Sequence, residues 1–553
     1  MKKQLLFTSI IFSFVINTFG QWQTYPFSPA GSVLTFPNDD GKHTAATTTT
    51  EWWYINLHLI GAAPVYKKYD VMLCYFSKPA TMRIFNVANV TAGTFHNDVN
   101  QTPFVFSQLT GHWELAYTIP LASISDFSKW TFPIDNKTFS YVFHATSPIN
   151  NDALDVTVTS NRSPLVVGKN GFIPIGGAGD SSFYYSYSNM KTTGTIKYAG
   201  VVDTISSGIA WIDRQWGPFT VGVNNSNLYE WFSFQLDKPG TTWGTPQTPS
   251  EFNVWQIFSD STTIPYTPAY RLVSGIYPDN SQDTVCNFVF ERTGYWHDVA
   301  NNKYYSQGWR MINPARGLTI DMTAPIPNQI INVTLFKFWE GGTTLKGTVG
   351  NQPVDGYGFA ELVAARKTPL TTPSVPTNLT VTPATNHYSL TWAASAQGTY
   401  PVGGYRIFRS TTNTGYWQYL ATTTSLFYND YAVPLDTGYF YTITSFDNQS
   451  HTSASSYANA VWVDPLIMGI EQIAQTENSL RVYPNPANDK IEIDLPVLKN
   501  THIEIISAEG KILRSIQPQS EKIKVEIGDL ANGVYIIKVI SDQETKNKKL
   551  IKQ

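Results

Sequence analysis

Only two cysteines, Cys74 and Cys286, occur in 553 residues. Disulfides are therefore not the main source of stability, and the two thiols either pair with each other or stay free and buried. Charge is also sparse. With 14% charged residues, a formal net charge of −3 and basic residues scattered along the chain, no field forms that would hold a polyanion, so nucleic acid is not an expected partner. Beyond the first twenty residues no apolar run approaches the roughly 20 residues needed to cross a bilayer, and no transmembrane segment is expected. No G-x-S-x-G elbow, Walker loop or H-E-x-x-H is present. No His, Cys and acidic grouping has the spacing of a zinc site, so neither metal nor other cofactor is expected. The run Gly176-Gly177-Ala178-Gly179-Asp180 lacks a following helix and reads as a loop, not a phosphate cradle.

What is abundant points to strands. Aromatics make up 14% of the chain, with many Thr and Ser and with 37 Gly and 33 Pro as punctuation, a composition that favours strands and turns. The chain reads as all-β, and its length exceeds what one core supports. Residues 1–20 read as a signal peptide: Lys2 and Lys3, an apolar run from Leu5 to Val15, and Thr18-Phe19-Gly20 before Gln21. Strand-like runs then continue to about Lys367, where the proline-rich stretch Thr368 to Pro376 marks a boundary. A second linker spans Ile470 to Asn478.

The chemistry is suggested by carboxylates set among large rings. Glu51-Trp52-Trp53-Tyr54, Trp211-Ile212-Asp213-Arg214-Gln215-Trp216 and Tyr229-Glu230-Trp231-Phe232 place acids where burial favours the neutral, proton-donating form and ring faces can stabilise a cation. Strand alternation puts Glu51 with Trp53, Ile55 and Leu57, and Trp52, Tyr54, Asn56 and His58 on the opposite face. In the same way Glu230 falls with Phe232, Glu340 with Phe336 and Phe338, and Glu361 with Phe359. Arg214 either closes a structural ion pair or holds one carboxylate while another stays protonated. The expected acid is Asp213, ahead of Glu230, with Glu51 also in the set and with Trp52, Tyr54, Trp216 and Trp231 stabilising a cation formed from a protonated C=C bond. The four polar residues Glu51, Asp213, Arg214 and Glu230 are expected to meet. His58 reads as a barrel histidine with its hydrogen bonds satisfied.

Three resemblances organise the chain. Residues 376–464, with Trp392, Tyr439 and Tyr441, resemble a fibronectin type III module, which implies a β-sandwich spacer. Residues 479–553, with Tyr483-Pro484-Asn485-Pro486 and Leu530-Ala531-Asn532-Gly533-Val534-Tyr535-Ile536, resemble the type IX secretion C-terminal sorting domain of Bacteroidetes proteins. That implies a small terminal sandwich, the type IX machinery as partner, and a secreted or cell-surface product. Glu51-Trp52-Trp53-Tyr54, the Trp211 to Gly217 motif, Phe338-Trp339-Glu340-Gly341 and the Gly356 to Leu362 run resemble the AttH/CrtC-like lipocalin family that includes carotenoid 1,2-hydratases. This implies tandem lipocalin-like barrels, at residues 21–220 and 221–367, and a hydrophobic small molecule of isoprenoid or polyketide type as ligand. His43, in the turn-like Asp39 to His43 stretch, reads by itself as a solvated loop histidine; it also stands where that family has a histidine before E-W-W-Y, which implies a place lining the pocket. Hydration or isomerisation by acid catalysis is the leading expectation, a non-catalytic lipid carrier is the alternative, and surface glycan binding is a third reading prompted by the 16 Trp and 31 Tyr.

Overall fold

The computed structural model describes residues 29–553 apart from 102–112, 132–139, 161, 176–179, 221–227, 259–270, 334–336, 434–436, 454–459, 466–479, 496–499, 509 and 543–544. The expected signal peptide, the glycine run at 176–179, Phe336 and the second linker lie outside the described residues. Among those described, regular structure is strand, with single 3-10 turns such as Asn38–Asp40 and no α-helix.

Two curled half-barrel sheets dominate the first of two compact units, which ends at Leu466. In the first sheet, Thr50–Gly61 lies between Lys68–Lys78 and Val201–Gly217, and Ser181–Tyr198 follows on the far side of the latter. Trp53, Leu57, Trp113, Tyr141, Tyr185, Ile212 and Trp216 fill its concave interior. The second sheet repeats the plan: Leu228–Asp237 lies between Ser250–Phe258 and Gln352–Leu362, with Lys337–Val349 next and Val289–Asp298 at one edge. Phe232, Phe234, Phe290, Trp309 and Trp339 fill that interior.

A third apolar cluster joins the two sheets through their outer faces, uniting Tyr54, Met72, Cys74, Tyr184 and Trp211 with Tyr229, Trp231, Trp255, Phe338 and Phe359. This explains why the central strands carry apolar residues at both parities. All ten residues of Leu228–Asp237 are buried, because one face fills its own half-barrel and the other packs on the neighbouring sheet. The cysteines do not pair: Cys74 is buried in that cluster and Cys286 is exposed. The expectation of two buried thiols therefore fails at Cys286, which follows the edge strand Gln282–Val285.

A smaller sandwich follows, with a three-stranded sheet (Thr377–Pro383, Tyr388–Ala393, Phe427–Asp430) facing a four-stranded one (Gln418–Thr423, Val402–Ser410, Tyr439–Asp447, Val461–Val463). Trp392, Tyr439 and Tyr441 sit in its core, and the Tyr441 hydroxyl donates to Asp430 at 2.8 Å. It is bound firmly to the second curled sheet. Arg292 N donates to Ser450 O and Thr452 N to Arg292 O, both at 3.0 Å. Arg406 grips Glu291 through two hydrogen bonds of 3.1 and 2.7 Å. The second compact unit holds two further small sheets around Leu480, Ile491, Ile503, Ile537 and Leu550.

Candidate functional site

Strand register builds two facing rows of side chains. Tyr54 lies opposite Asp213 on one side and Cys74 on the other, and Asp213 lies opposite Ser186. In the second sheet Glu340 lies directly opposite Glu361, which lies opposite Trp231, which lies opposite Trp255. The rows meet ring to ring: Tyr54 and Trp231 at 5.5 Å, Tyr184 and Trp255 at 5.9 Å, Trp211 and Trp231 at 6.5 Å. Tyr54 also faces Glu340 across the seam, where burial first and then the Glu340 charge raise its hydroxyl pKa.

Three carboxyls, Asp213 and Glu340 buried and Glu361 half-buried, therefore share one aromatic seam. Burial pushes Asp213 up to about 7, although Ser186, Tyr184 and Trp211 oppose the rise by donating at 2.5, 2.6 and 2.7 Å. Burial likewise lifts Glu361 to about 7 against a 2.6 Å hydrogen bond from the Tyr229 hydroxyl. Glu340 is pushed well above the carboxylate range, first by burial and then by the charge of Glu361. Two carboxylates directly across a strand pair cannot both ionise in such surroundings, so at least one proton stays on the pair near neutral pH. Among the described residues no Arg or Lys is paired with any of the three. Glu340 Oε1, Asn56 Oδ1, Asn253 Oδ1 and Trp231 Nε1 are buried without a hydrogen-bond partner. Each such group costs about 1–3 kcal/mol unless something else satisfies it.

Of the residues expected from sequence, Asp213, Tyr54 and Trp231 lie in this seam. Trp52 lies at its margin, half-buried against Phe76 at 5.6 Å and Phe219 at 5.4 Å. Glu51, Arg214, His43 and Trp216 come together elsewhere, on the interior side of the first sheet. Arg214 Nη2 donates to Glu51 Oε1 at 3.0 Å and to Gly41 O at 2.7 Å. Its guanidinium lies 4.2 Å from the Trp53 ring centre. His43 stacks on Trp216 at 4.0 Å with Nδ1 2.9 Å from Glu51 Oε1, and Ser77 donates to Glu51 Oε2 at 2.8 Å.

Glu230 is in neither place, since it forms a buried ion pair with Arg292 inside the second half-barrel. The expected meeting of Glu51, Asp213, Arg214 and Glu230 thus does not occur. The reason is the period of two: Asp213 and Arg214, like Glu230 and Trp231, are adjacent residues and point to opposite faces. Alternation alone sets Glu340 and Glu361 on apolar faces, but the register that makes them direct neighbours comes only from the folded sheet. Tyr229, Tyr184 and Cys74 escape sequence reasoning for the same cause.

Two curled β-sheets joined back to back through a buried acidic seam define a lipocalin-like protein of the two-half-barrel kind. The AttH-like family model matches residues 28–365, and this chain belongs to that family. A kievitone hydratase of Fusarium solani subsp. phaseoli is 26% identical over 191 residues, which are 33% of this chain and 49% of that protein. The chain thus spans about half the length of the curated relative it matches. Among solved structures, an AttH protein from Nitrosomonas europaea is 19% identical, covering 61% of this chain and 99% of that one with a TM-score of 0.48. The kievitone hydratase from Nectria haematococca is 18% identical, covering 61% and 98% with a TM-score of 0.45. Residues 481–553 match the secretion system C-terminal sorting domain family, which implies export through the type IX machinery to the cell surface or beyond. No helix among the described residues is long and apolar enough to cross a membrane.

Proposed function

We propose that this chain is an exported hydratase that binds an apolar, unsaturated small molecule in the seam between its two curled sheets. The observation that carries the reading is the set of three carboxyls, Asp213 and Glu340 buried and Glu361 half-buried, all raised above the ordinary carboxylate range among ring faces and with no paired cation among the described residues. In the proposed step a protonated carboxyl, Asp213 or the Glu340–Glu361 pair, gives its proton to one carbon of a C=C bond. The π electrons form the new C–H bond, the other carbon becomes cationic, and the faces of Trp231, Trp211 and Tyr54 stabilise it. Water adds to that carbon and its proton returns to the carboxylate. Loss of a neighbouring proton in place of water addition would give an isomerase from the same site. Residues 1–20 act as the signal peptide and residues 376–464 as a fibronectin type III-like module in this reading.

The carrier alternative is favoured by one feature: the unpartnered Asn56, Asn253 and Trp231 groups could anchor a ligand without any reaction. The test is mass spectrometry of a host lipid extract incubated with the full mature protein in isotopically labelled water. A product heavier by one labelled water and absent with Asp213→Asn or with Glu361→Gln supports the hydratase; unchanged compounds retained by the unaltered protein and both variants would replace it with the carrier. Glycan binding has no comparable support, because the tryptophans near the motifs sit within packed clusters and not on an exposed platform.

A further inference from the structure

The inter-sheet face carries a second polar device, two rows from the acids. Tyr54, Asn56 and His58 point the same way from Thr50–Gly61, and the next strand sets Cys74, Met72 and Asp70 beside them in turn. His58 is fully buried, with Nδ1 2.7 Å from Asp70 Oδ1. An ionised carboxylate only accepts, so Nδ1 carries the hydrogen, and in the neutral ring Nε2 presents a bare lone pair. That Nε2 has no hydrogen-bond partner, against the expectation of a satisfied barrel histidine.

The second sheet closes over this group. Phe359 and Tyr357, two and four residues before Glu361 on the same face, lie 5.1 and 5.4 Å from the His58 ring, and Trp243 lies at 6.1 Å. Gly342, two residues after Glu340, admits Asp70: a Cβ there would stand 1.9 Å from Asp70 Oδ2. Asp213, opposite Tyr54, and the histidine thus lie at two points along one seam, about 13 Å apart at the rise of the four strand residues from Tyr54 to His58.

Building on the ligand reading above, we propose that His58, oriented by Asp70, is the receptor for a hydroxyl group of the bound molecule. The ligand is then an elongated unsaturated alcohol whose hydroxyl lies about 13 Å from a double bond at Asp213. A hydrocarbon would leave the Nε2 lone pair unmet. A carboxylate would be repelled by that lone pair and by Asp70, and an ammonium would have to shed its water into a ring-lined space. A neutral O–H donor is what remains, and burial of the unpaired acceptor makes it selective.

The test is a tryptophan-fluorescence titration of the full-length protein with farnesol, whose hydroxyl and terminal alkene lie about that far apart when extended, and with β-farnesene, a hydrocarbon of the same skeleton. Farnesol should bind about tenfold more tightly. His58→Leu should bring farnesol down to the affinity of the hydrocarbon while leaving β-farnesene unchanged. Asp70→Asn, which preserves shape, should give an intermediate loss for farnesol alone. Equal binding of both probes by the unaltered protein, or a preference that survives both substitutions, overturns the hydroxyl assignment and leaves the inter-sheet ligand site standing. Failure of both probes to bind overturns the two together.

Discussion

Arg214→Leu should destabilise the protein by about 3–5 kcal/mol, the usual cost of removing one partner of a buried ion pair. Its side chain is fully buried and donates to Glu51, to Gly41 O and, at 3.3 Å, to Asp40 O. It thereby ties the Asn38–Asp40 turn to the strand that begins at Thr50. Burial alone would raise the Glu51 pKa, but the hydrogen bond from His43 and the charge of Arg214 together hold it down at about 2. Without the guanidinium, the buried Glu51 keeps only His43 and Ser77 as partners and loses its fixed countercharge. Pairing Arg214→Leu with Glu51→Gln should therefore recover part of the loss, which urea unfolding of the single and double variants would measure. If Arg214→Leu instead left the unfolding midpoint unchanged, the cluster would have no role in holding the fold.

Glu361→Gln should act in the opposite direction on stability and, with its pair as donor, should remove activity. The carboxyl moves from 4.5 in the unfolded chain to about 7 in the folded one. Its full contribution is present below the unfolded value. As pH rises through the window the unfolded state releases the proton first, and stability falls by about 1.4 kcal/mol per unit until about pH 7 is passed. Asp213, displaced from 3.8 to about 7, has the same sign, and so has Glu340. The protein should be more stable at pH 5 than at pH 8, and Glu361→Gln should flatten that slope, gaining about 3 kcal/mol at pH 8. With the Glu340–Glu361 pair as donor turnover should fall about 100-fold or more, since a glutamine cannot donate the proton, whereas with Asp213 as donor Asp213→Asn should give that loss; in the unaltered protein turnover should decline as pH rises above neutrality. Parallel pH slopes for the two proteins in urea unfolding would refute the buried-acid account.

The all-β architecture and the division into half-barrels were legible because strand composition and family motifs survive in the linear order. Face assignments were legible as well: Glu51 does lie with Trp53 and Leu57, and Glu361 does lie with Phe359. What stayed hidden was which face of each strand meets the other sheet. With both parities of Thr50–Gly61 and Val201–Gly217 apolar, alternation separates Asp213 from Arg214 but does not say which one faces the neighbour. Pairing Glu340 with Glu361, and Asp70 with His58, depends on register between strands, a property with no local signal when the hydrophobic pattern tolerates several alignments.

The hydrogen bonds that Ser450 and Thr452 make to Arg292 predict a difference in self-association between two truncated chains. Val289–Asp298 is the last strand of its sheet, and an uncovered strand edge is a template for pairing between molecules. The small sandwich covers that edge at Arg292 and adds the Tyr295 to His451 contact of 3.0 Å. A chain cut after Lys367 would keep both half-barrels yet bare the edge, and light scattering should show aggregates, whereas one cut after Asp464 should remain monodisperse. Equal behaviour of the two would mean that the edge is harmless.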